Sequence, residues 1–322
     1  MAIPPEIAPG AELPATGLRG HWLRVGGRFE QLDPTVRGLI WSTAAGMIFV
    51  VLNATMRALA QQLDPFQTQF LRYLAGLVVL LPLLFRGGLT SWWPRHIGGQ
   101  FGRGALHALG LTLWFIALPQ IPLADMTALG FTTPIFIMIG AMLFFREPMR
   151  WERWAAVGFG FVGVLIVVAP KMTGDGGIYN LVMLSSAPLF AASFLVTKAL
   201  TRYERTGVIL LWQGITVSLF SLPLALLHWQ QPSAAQWLGF AVCGLLGNSA
   251  HYCLTQSYRI ADISSTQSVK FLDLVWATLI GWLAFGDSPS QATLIGGSVI
   301  CAATLWVARR ERRSRIKPET LV

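Results

Sequence analysis

Charged residues are scarce in this 322-residue sequence, and long stretches contain none at all. Lys, Arg, Asp and Glu make up 12% of the chain, whereas a soluble domain carries about 25%. Charge-free runs cover residues 126–145, 176–197, 206–258 and 288–308. Each run is long enough for a helix of roughly 20 residues that crosses a bilayer. The scarcity of charge excludes an ordinary soluble domain and predicts an all-α polytopic membrane protein.

The sequence also lacks the motifs of several enzyme and pump classes. Its three cysteines are an odd number within apolar runs, so we predict no disulfide framework. No glycine-rich loop is followed by Lys and Ser or Thr, which argues against an ATP-driven pump. No His, Cys, Asp and Glu group has metal-ligand spacing, and no serine has a visible His and Asp partner set. We therefore predict no cofactor, no metal site and no enzymatic activity.

The apolar runs and their short connections divide the chain into ten predicted spans between two tails. Residues 1–36 contain no apolar stretch typical of a signal peptide and are predicted to be a disordered N-terminal tail. Residues 310–322 are predicted to be a basic tail at the anionic inner leaflet. The predicted spans are 37–59, 66–85, 102–119, 124–145, 153–169, 178–200, 207–228, 235–258, 262–285 and 290–309.

The basic residues predict which side of the membrane each connection faces. With the N-terminus inside, all of the 24 Lys and Arg residues except Arg57, Arg72, Lys171 and Lys270 fall in cytoplasmic segments or tails. Such an excess is the positive-inside pattern, and it predicts that both termini are cytoplasmic. The same pattern explains the net charge of +9, so we do not expect nucleic acid to be a partner.

The two halves of the chain resemble each other at a spacing of about 140 residues. Two pairs of segments correspond at this spacing: Phe145-Arg146-Glu147-Pro148 with Phe285-Gly286-Asp287-Ser288-Pro289, and Ala124-Asp125 with Ala261-Asp262. We therefore predict two five-helix repeats, 37–170 and 171–309. Because five is odd, the second repeat is inverted relative to the first, as in many secondary transporters with a midplane site. Duplication kept only for packing is the alternative.

The stretch 245–276 carries most of the polar chemistry of the second half. Folded back about Ile260, it places His251 and Lys270 on the order of 13–15 Å from the turn, near the midplane of a bilayer. Lys270 and Asp273 are three residues apart and share a helix face. Charges at this depth usually face a pathway or a partner. A purely structural Lys270–Asp273 pair is the alternative, as is a His251 that only bonds helix to helix.

Further candidate residues lie around this predicted substrate site. Asn248 and Tyr252 share the helix of His251, and Trp114 and Thr133 are the first-half counterparts of His251 and Lys270. Phe136 joins Trp114 in an aromatic wall that can stack a flat substrate. The substrate-binding set that we predict is Lys270, Asp273, His251, Asn248, Tyr252, Trp114, Thr133, Phe136, Asn53 and Ser186.

Three runs of the sequence resemble the drug/metabolite transporter superfamily, in its bacterial EamA-type branch. They are MRALAQQLDPFQTQFLRY from Met56, the segment from Ala124 to Pro170 with FFREP, and RIADISSTQSVKFLDLVWATLIGWLAFGDSP from Arg259. The resemblance covers about residues 37–309. It implies a ten-helix basket with both termini cytoplasmic and a central cavity lined by spans one, three, four, six, eight and nine.

These patterns predict a secondary transporter of a small organic metabolite that works by alternating access in the bacterial inner membrane. Lys270 favours an anionic or zwitterionic substrate, amino-acid-like or aromatic, and we expect coupling to protons or to exchange. The partners are the substrate and the lipid bilayer, and the chain is either a monomer or a homodimer. The alternatives are an intramembrane enzyme that uses His251 and Asp273, and a membrane scaffold without transport.

Overall fold

A computed structural model describes most of the apolar part of the chain. The described residues are 29–60, 62–117, 120, 128–148, 150–172, 177–285 and 289–316. Residues 1–28 of the predicted N-terminal tail and residues 317–322 of the predicted C-terminal tail lie outside them. Within these ranges the chain forms helices and no β-strand.

Ten α-helices follow one another in the described residues. Three short 3-10 helices, Leu89–Trp92, Ala169–Lys171 and Ser264–Phe271, lie between them. The α-helices are α1 (Pro34–Ala60), α2 (Pro65–Gly87), α3 (Ile97–Ala117), α4 (Thr133–Phe145), α5 (Trp151–Val168), α6 (Ile178–Leu200), α7 (Thr206–Ala225), α8 (Ala234–Ile260), α9 (Leu272–Phe285) and α10 (Gln291–Ile316).

Six helical stretches in the described ranges are long and apolar enough to cross a membrane. They are 34–60, 128–145, 151–168, 178–200, 206–225 and 291–310. The prediction of an all-helical protein that crosses the membrane several times is therefore confirmed. The count of ten spans and the sidedness of the termini remain predictions.

Helix α3 begins at Ile97, five residues before the predicted start at 102. Glu204 explains the early start, because its Oε1 atom accepts hydrogen bonds from the backbone of Arg95 and His96, at 2.6 and 2.9 Å, and so caps the helix from the α6–α7 connection. Arg103 consequently lies inside the helix and is only 2% exposed. Its predicted place at the cytoplasmic end of the third span stays a prediction.

The predicted ninth span, 262–285, is not one α-helix. It begins with the 3-10 helix Ser264–Phe271 and becomes α-helical only at Leu272. The polar run Ser264–Ser268 explains this, because its side chains bond to nearby carbonyl groups: Ser265 Oγ donates to Asp262 O and Thr266 Oγ1 to Ile263 O. Such local bonds compete with regular α-helical structure.

The helices pack in pairs that are related across the two halves of the chain. The contact between α1 and α8 corresponds to the contact between α6 and α3. In the same way, α2–α8 corresponds to α7–α3, and α4–α6 corresponds to α9–α1. The pairs α2–α7 and α5–α10 join equivalent helices of the two halves. For these pairs, replacing each helix by the one five places further on, or five places back, gives a pair that is also in contact.

Candidate functional site

Lys270 and Asp273 both face helix α1. The Asp273 carboxylate lies against Gly46, where a Cβ atom would overlap with its Oδ1 atom. The Nζ atom of Lys270 lies 5.4 Å from the centroid of the Phe49 ring, within cation–π distance. Gly46 and Phe49 are three residues apart and therefore share one side of α1. No ion pair joins Lys270 to Asp273, although the structure describes both side chains.

The 3-10 segment sets the direction of these two side chains. A 3-10 helix has three residues per turn, so every third side chain lies on the same side. Gln267 and Lys270 follow this spacing, and Asp273 continues it into the first turn of α9. Gln267 is fully buried, its Nε2 atom donates to Ile263 O at 2.7 Å, and its Oε1 atom has no hydrogen-bond partner among the described residues. The segment therefore presents an amide oxygen, an ammonium and a carboxylate in one row.

Two buried histidines lie beside this row. The ring of His251, from α8, meets the Phe49 ring edge to face at 5.1 Å and the ring of His107, from α3, at 5.7 Å. The Nε2 atom of His107 is 2.9 Å from the Tyr73 hydroxyl. Phe49 thus contacts His251 and also Lys270. The predicted association of His251 with Lys270 is therefore mediated by an aromatic ring from α1.

Arg103 organises the other side of His251. It is buried and donates to Thr197 Oγ1 at 2.5 Å, to Ile209 O at 3.0 Å and to Gln213 Oε1 at 2.6 Å. Because the amide oxygen of Gln213 is engaged by Arg103, its NH₂ group faces His251 Nε2, 3.3 Å away. Nε2 of His251 must then accept that hydrogen bond, and a neutral His251 carries its proton on Nδ1.

Arg72, on α2, lies against the same group of residues with fewer contacts. Its guanidinium carbon is 4.5 Å from the centroid of the Tyr73 ring, and it makes no hydrogen bond to any described residue. A cation–π contact contributes about 0.5–2 kcal/mol, whereas removing a charge from water costs several kcal/mol. The Tyr73 ring therefore does not compensate for the partial burial of Arg72.

The balance of charge in this region is positive. Arg72, Arg103 and Lys270 all act electrostatically on His251, and Asp273 is the one carboxylate beside them among the described residues. Buried charges in proteins are normally paired or hydrogen-bonded. The arrangement is thus suited to a ligand that brings hydrogen-bond acceptors or negative charge.

The turn between α8 and the 3-10 helix closes the predicted cytoplasmic end of the bundle. Glu147 accepts hydrogen bonds from the backbone N–H groups of Ile263 and Ser264, both at 3.0 Å, and from Ser264 Oγ at 2.5 Å. Arg153 donates to Ser264 Oγ at 2.7 Å and pairs with Asp262 at 3.1 Å.

Lys198 holds the other side of this turn. Its Nζ atom donates to Tyr258 O and Ala261 O at 2.6 Å each, at the carbonyl end of α8, where a cation is favourable. We call Glu147, Arg153 and Lys198, with the turn that they hold, the inner seal.

Asn53 indicates where solvent reaches the interior. The exposed side chains of Ile40, Met47 and Val51 mark the outer face of α1. Asn53 is also exposed, yet it lies roughly 140° around the helix from them. It is therefore accessible on the side of α1 that faces the other helices, beyond Phe49 on the way to the end opposite the inner seal.

The other predicted site residues are dispersed. Asn248 donates from Nδ2 to Gly76 O at 2.8 Å and so ties α8 to α2. Tyr252 is 41% exposed and shares the outer face of α8 with Leu245, so it points away from His251. Ser186 is buried and donates to Met183 O in its own helix. Phe136 packs in the same cluster as Phe49.

The two first-half counterparts lie apart from the group around His251. Trp114 packs with Ala117 and Met183 near the end of α3. Thr133 opens helix α4 and is half-buried, with no side-chain hydrogen bond among the described residues. The structure thus brings together His251, Lys270, Asp273 and Phe136, adds Arg72, Arg103, His107 and Gln213, and leaves out Trp114 and Tyr252.

Comparison with known proteins gives a consistent result along the chain. The EamA-like transporter family matches residues 36–169 and again residues 177–309. A riboflavin transporter of Rhizobium johnstonii is 35% identical over 286 residues, which is 88% of this chain and 94% of that protein. A Vibrio cholerae riboflavin transporter is 28% identical over 87% of this chain and 97% of its own length. An S-adenosylmethionine uptake transporter of Rickettsia prowazekii is 25% identical over 88% of this chain and 97% of its own length.

A solved structure with the same fold is among the matches. It superposes with a TM-score of 0.74 over 86% of this chain and 98% of its own chain, at 19% sequence identity. The double family match and the 35% identical relative confirm the resemblance to the drug/metabolite transporter superfamily and the prediction of a transporter instead of an enzyme. This chain belongs to the EamA-like transporter family.

Proposed function

We propose that this protein carries a small, flat heteroaromatic metabolite across the membrane, with riboflavin as the substrate to test first. The observation that carries the proposal is the Phe49 ring and its two neighbours. The centroid of the His251 ring lies 5.1 Å from the Phe49 centroid, and the Nζ atom of Lys270 lies 5.4 Å from it. An aromatic ring beside hydrogen-bond donors suits a flat ligand with polar edges. The relatives named as riboflavin transporters support the same substrate class.

Transport proceeds by alternating access in this proposal, with two inverted repeats, 37–170 and 171–309, moving against each other. The equivalent helix neighbours in the two halves support the repeat. The inner seal closes one end, while the exposed Asn53 lies on the inward side of α1 towards the other end. In this proposal the present arrangement is the state closed to the cytoplasm, and the seal must break for release.

Coupling and location complete the proposal. Asp273 is a half-buried carboxylate without an ion-pair partner among the described residues, which makes it the candidate carrier of a coupling proton. Coupling by exchange of a second solute is the alternative. The bacterial relatives and the apolar helices support the bacterial inner membrane as the location. The proposal keeps both termini cytoplasmic and the protein as a monomer or a homodimer.

The direct test is uptake of radiolabelled riboflavin into proteoliposomes that contain the purified protein. We expect saturable uptake that is competed by unlabelled riboflavin and is absent from protein-free liposomes. S-adenosylmethionine serves as the second labelled solute, because other relatives are named for its uptake. Uptake of S-adenosylmethionine without riboflavin would contradict the proposed substrate class.

Replacing Glu147 by Gln is expected to weaken the inner seal. The carboxylate accepts three hydrogen bonds from Ile263 and Ser264, whereas an amide offers one acceptor oxygen and turns an NH₂ group towards N–H donors. Cys253, which is 8% exposed and lies two turns inside the end of α8, is the reporter once Cys243 and Cys301 are replaced by Ala. We expect labelling by a maleimide from the cytoplasmic side to become about tenfold faster. A tenfold change corresponds to a loss of roughly 1.4 kcal/mol in the stability of the closed seal.

Glu152→Gln is the matched control for the seal. Glu152 also lies at the start of α5, but it pairs with the exposed Arg310 at 3.8 Å, outside the seal. Its labelling rate should equal that of the wild type. Equal rates for Glu147→Gln and wild type would show that the turn does not control access.

A further inference from the structure

The guanidinium of Arg72 lacks an acceptor. Its Nε atom is buried without a hydrogen-bond partner, and no described residue accepts from its terminal nitrogens. One face of the guanidinium is covered by the Tyr73 ring, 4.5 Å away. The terminal nitrogens are not buried in the way that Nε is, and their N–H groups form no hydrogen bond to a described residue. Arginine binds planar acceptor groups through such a pair of N–H groups.

The side chain of Arg72 does not extend towards the nearer end of α2. Its guanidinium packs on Gly247, where a Cβ atom would lie 3.2 Å from the nearest terminal nitrogen and 3.4 Å from Nε. Gly247 is thirteen residues from the first residue of α8, Ala234, so the contact lies roughly 20 Å along the helix from that end. A side chain that sought the surface would extend the other way along α2, towards Pro65.

The neighbours of Arg72 place its guanidinium beside the candidate site. Arg72 acts electrostatically on both His107 and His251, and Tyr73, which covers its face, contacts His107. Arg103 has acceptors in Thr197, Ile209 and Gln213, and Lys270 has the Phe49 ring. Arg72 and Lys270 each have only a ring contact, and of the two only Arg72 carries the planar fork of donors that binds two coplanar acceptors.

We propose that Arg72 is a substrate-binding residue that recognises two adjacent, coplanar hydrogen-bond acceptors on the transported molecule. This inference rests on the proposed function and specifies the chemistry that the site selects. Two kinds of ligand present such a pair: a carboxylate, and the N1–C2=O edge of a flavin ring. A ligand without the pair leaves the guanidinium unsatisfied and binds more weakly.

The experiment compares ligands that differ in one acceptor. Riboflavin is paired with 1-deazariboflavin, in which a C–H group replaces the N1 acceptor, and nicotinate is paired with nicotinamide. Dissociation constants are measured by quenching of tryptophan fluorescence in wild type, Arg72→Gln, Arg72→Lys and Arg309→Gln. Arg309 is exposed in the second half of α10 and serves as the control for loss of a cation.

We expect the wild type and Arg309→Gln to prefer the acceptor-rich member of at least one pair by about tenfold. Arg72→Gln should reduce that preference to less than about twofold, and Arg72→Lys, which keeps the charge but loses the fork, should reduce it as well. Preference in the flavin pair identifies the ring edge, and preference in the nicotinate pair identifies a carboxylate.

Failure of the two proposals gives different results. If the wild type binds neither flavin, riboflavin falls as the substrate, and the nicotinate pair alone decides the role of Arg72. If both Arg72 variants keep the wild-type preference, or the wild type shows none in either pair, the role of Arg72 is overturned. Should Arg72→Gln not elute as a folded protein, Arg72→Lys makes the same distinction.

Discussion

Substituting Lys270 by Ala is expected to lower riboflavin uptake by about 100-fold. The ammonium is a charged donor of the 3-10 segment and lies on the Phe49 ring, and loss of a charged hydrogen bond to a ligand costs about 2–3 kcal/mol. The measurement is the initial rate of uptake into proteoliposomes with equal protein content. Lys270→Arg retains the charge and should recover part of the rate.

Arg202→Ala is the control for this substitution. Arg202 also lies over a phenylalanine ring, that of Phe145, at 5.5 Å, but it is exposed beyond the end of α6. Its removal takes away a cation and a comparable ring contact without touching the site, so uptake should stay within about twofold of wild type. Equal uptake by Lys270→Ala and Arg202→Ala would remove Lys270 from the site.

Replacing Gly244 by Ala is expected to be the most destabilising small substitution in helix α8. A Cβ atom there would lie 2.6 Å from Gly76 N and 2.7 Å from the carbonyl carbon of Ala75. Both are backbone atoms of α2, so the helices themselves must move apart. Overpacking costs about 1–3 kcal/mol or more, and we expect the melting temperature in detergent to fall by about 5 °C or more.

Gly239→Ala, in the same helix, separates this contact from helix propensity. A Cβ atom at position 239 would meet only the Leu59 side chain, at 3.1 Å, which can rotate. Alanine also favours a helix over glycine by about 1 kcal/mol. The melting temperature of this variant should therefore stay unchanged or rise, and an equal fall in both variants would contradict the role of the α2–α8 contact.

The sequence predicts the class of the protein well because scarcity of charge is a property of composition. It also identifies His251, Lys270 and Asp273, since charged and titratable groups inside apolar runs are visible without a fold. Arg103 and Gln213 are not visible in this way. Their roles depend on the early start of α3, which Glu204 imposes from a position 107 residues further along the chain than Ile97.

The sequence predicts only that Arg72 lies outside the cytoplasmic segments, because it shows the position of a basic residue and not the direction of its side chain. Its place beside the histidines depends on Gly247, from another helix. The polar run Ser264–Ser268 did carry a readable signal, since consecutive Ser and Thr side chains favour local bonds over a regular α-helix. That signal could have separated the 3-10 segment from α9.

Trp114 illustrates a limit of comparing the two halves by spacing. In the inverted arrangement that we propose, a twofold axis in the membrane plane exchanges the inner and outer depths. His251 lies nine residues from the inner end of α8, Ile260, and its counterpart Trp114 lies three residues from the opposite end of α3, Ala117. The constant spacing therefore does not match equivalent positions of these two helices, and spacing alone could not place Trp114 beside His251.

The length of the 3-10 segment would change by a fixed amount if the segment became α-helical. Eight residues span about 16 Å in 3-10 geometry and about 12 Å as an α-helix, because the rise falls from about 2.0 to 1.5 Å per residue. Winding Ser264–Phe271 into an α-helix would shorten it by roughly 4 Å and would turn each third side chain about 60° away from the last. Lys270 would then move away from the Phe49 ring, and Gln267 would no longer lie on the same side of the helix as Lys270. The length of this backbone segment is therefore coupled to the position of the side chains that contact a ligand.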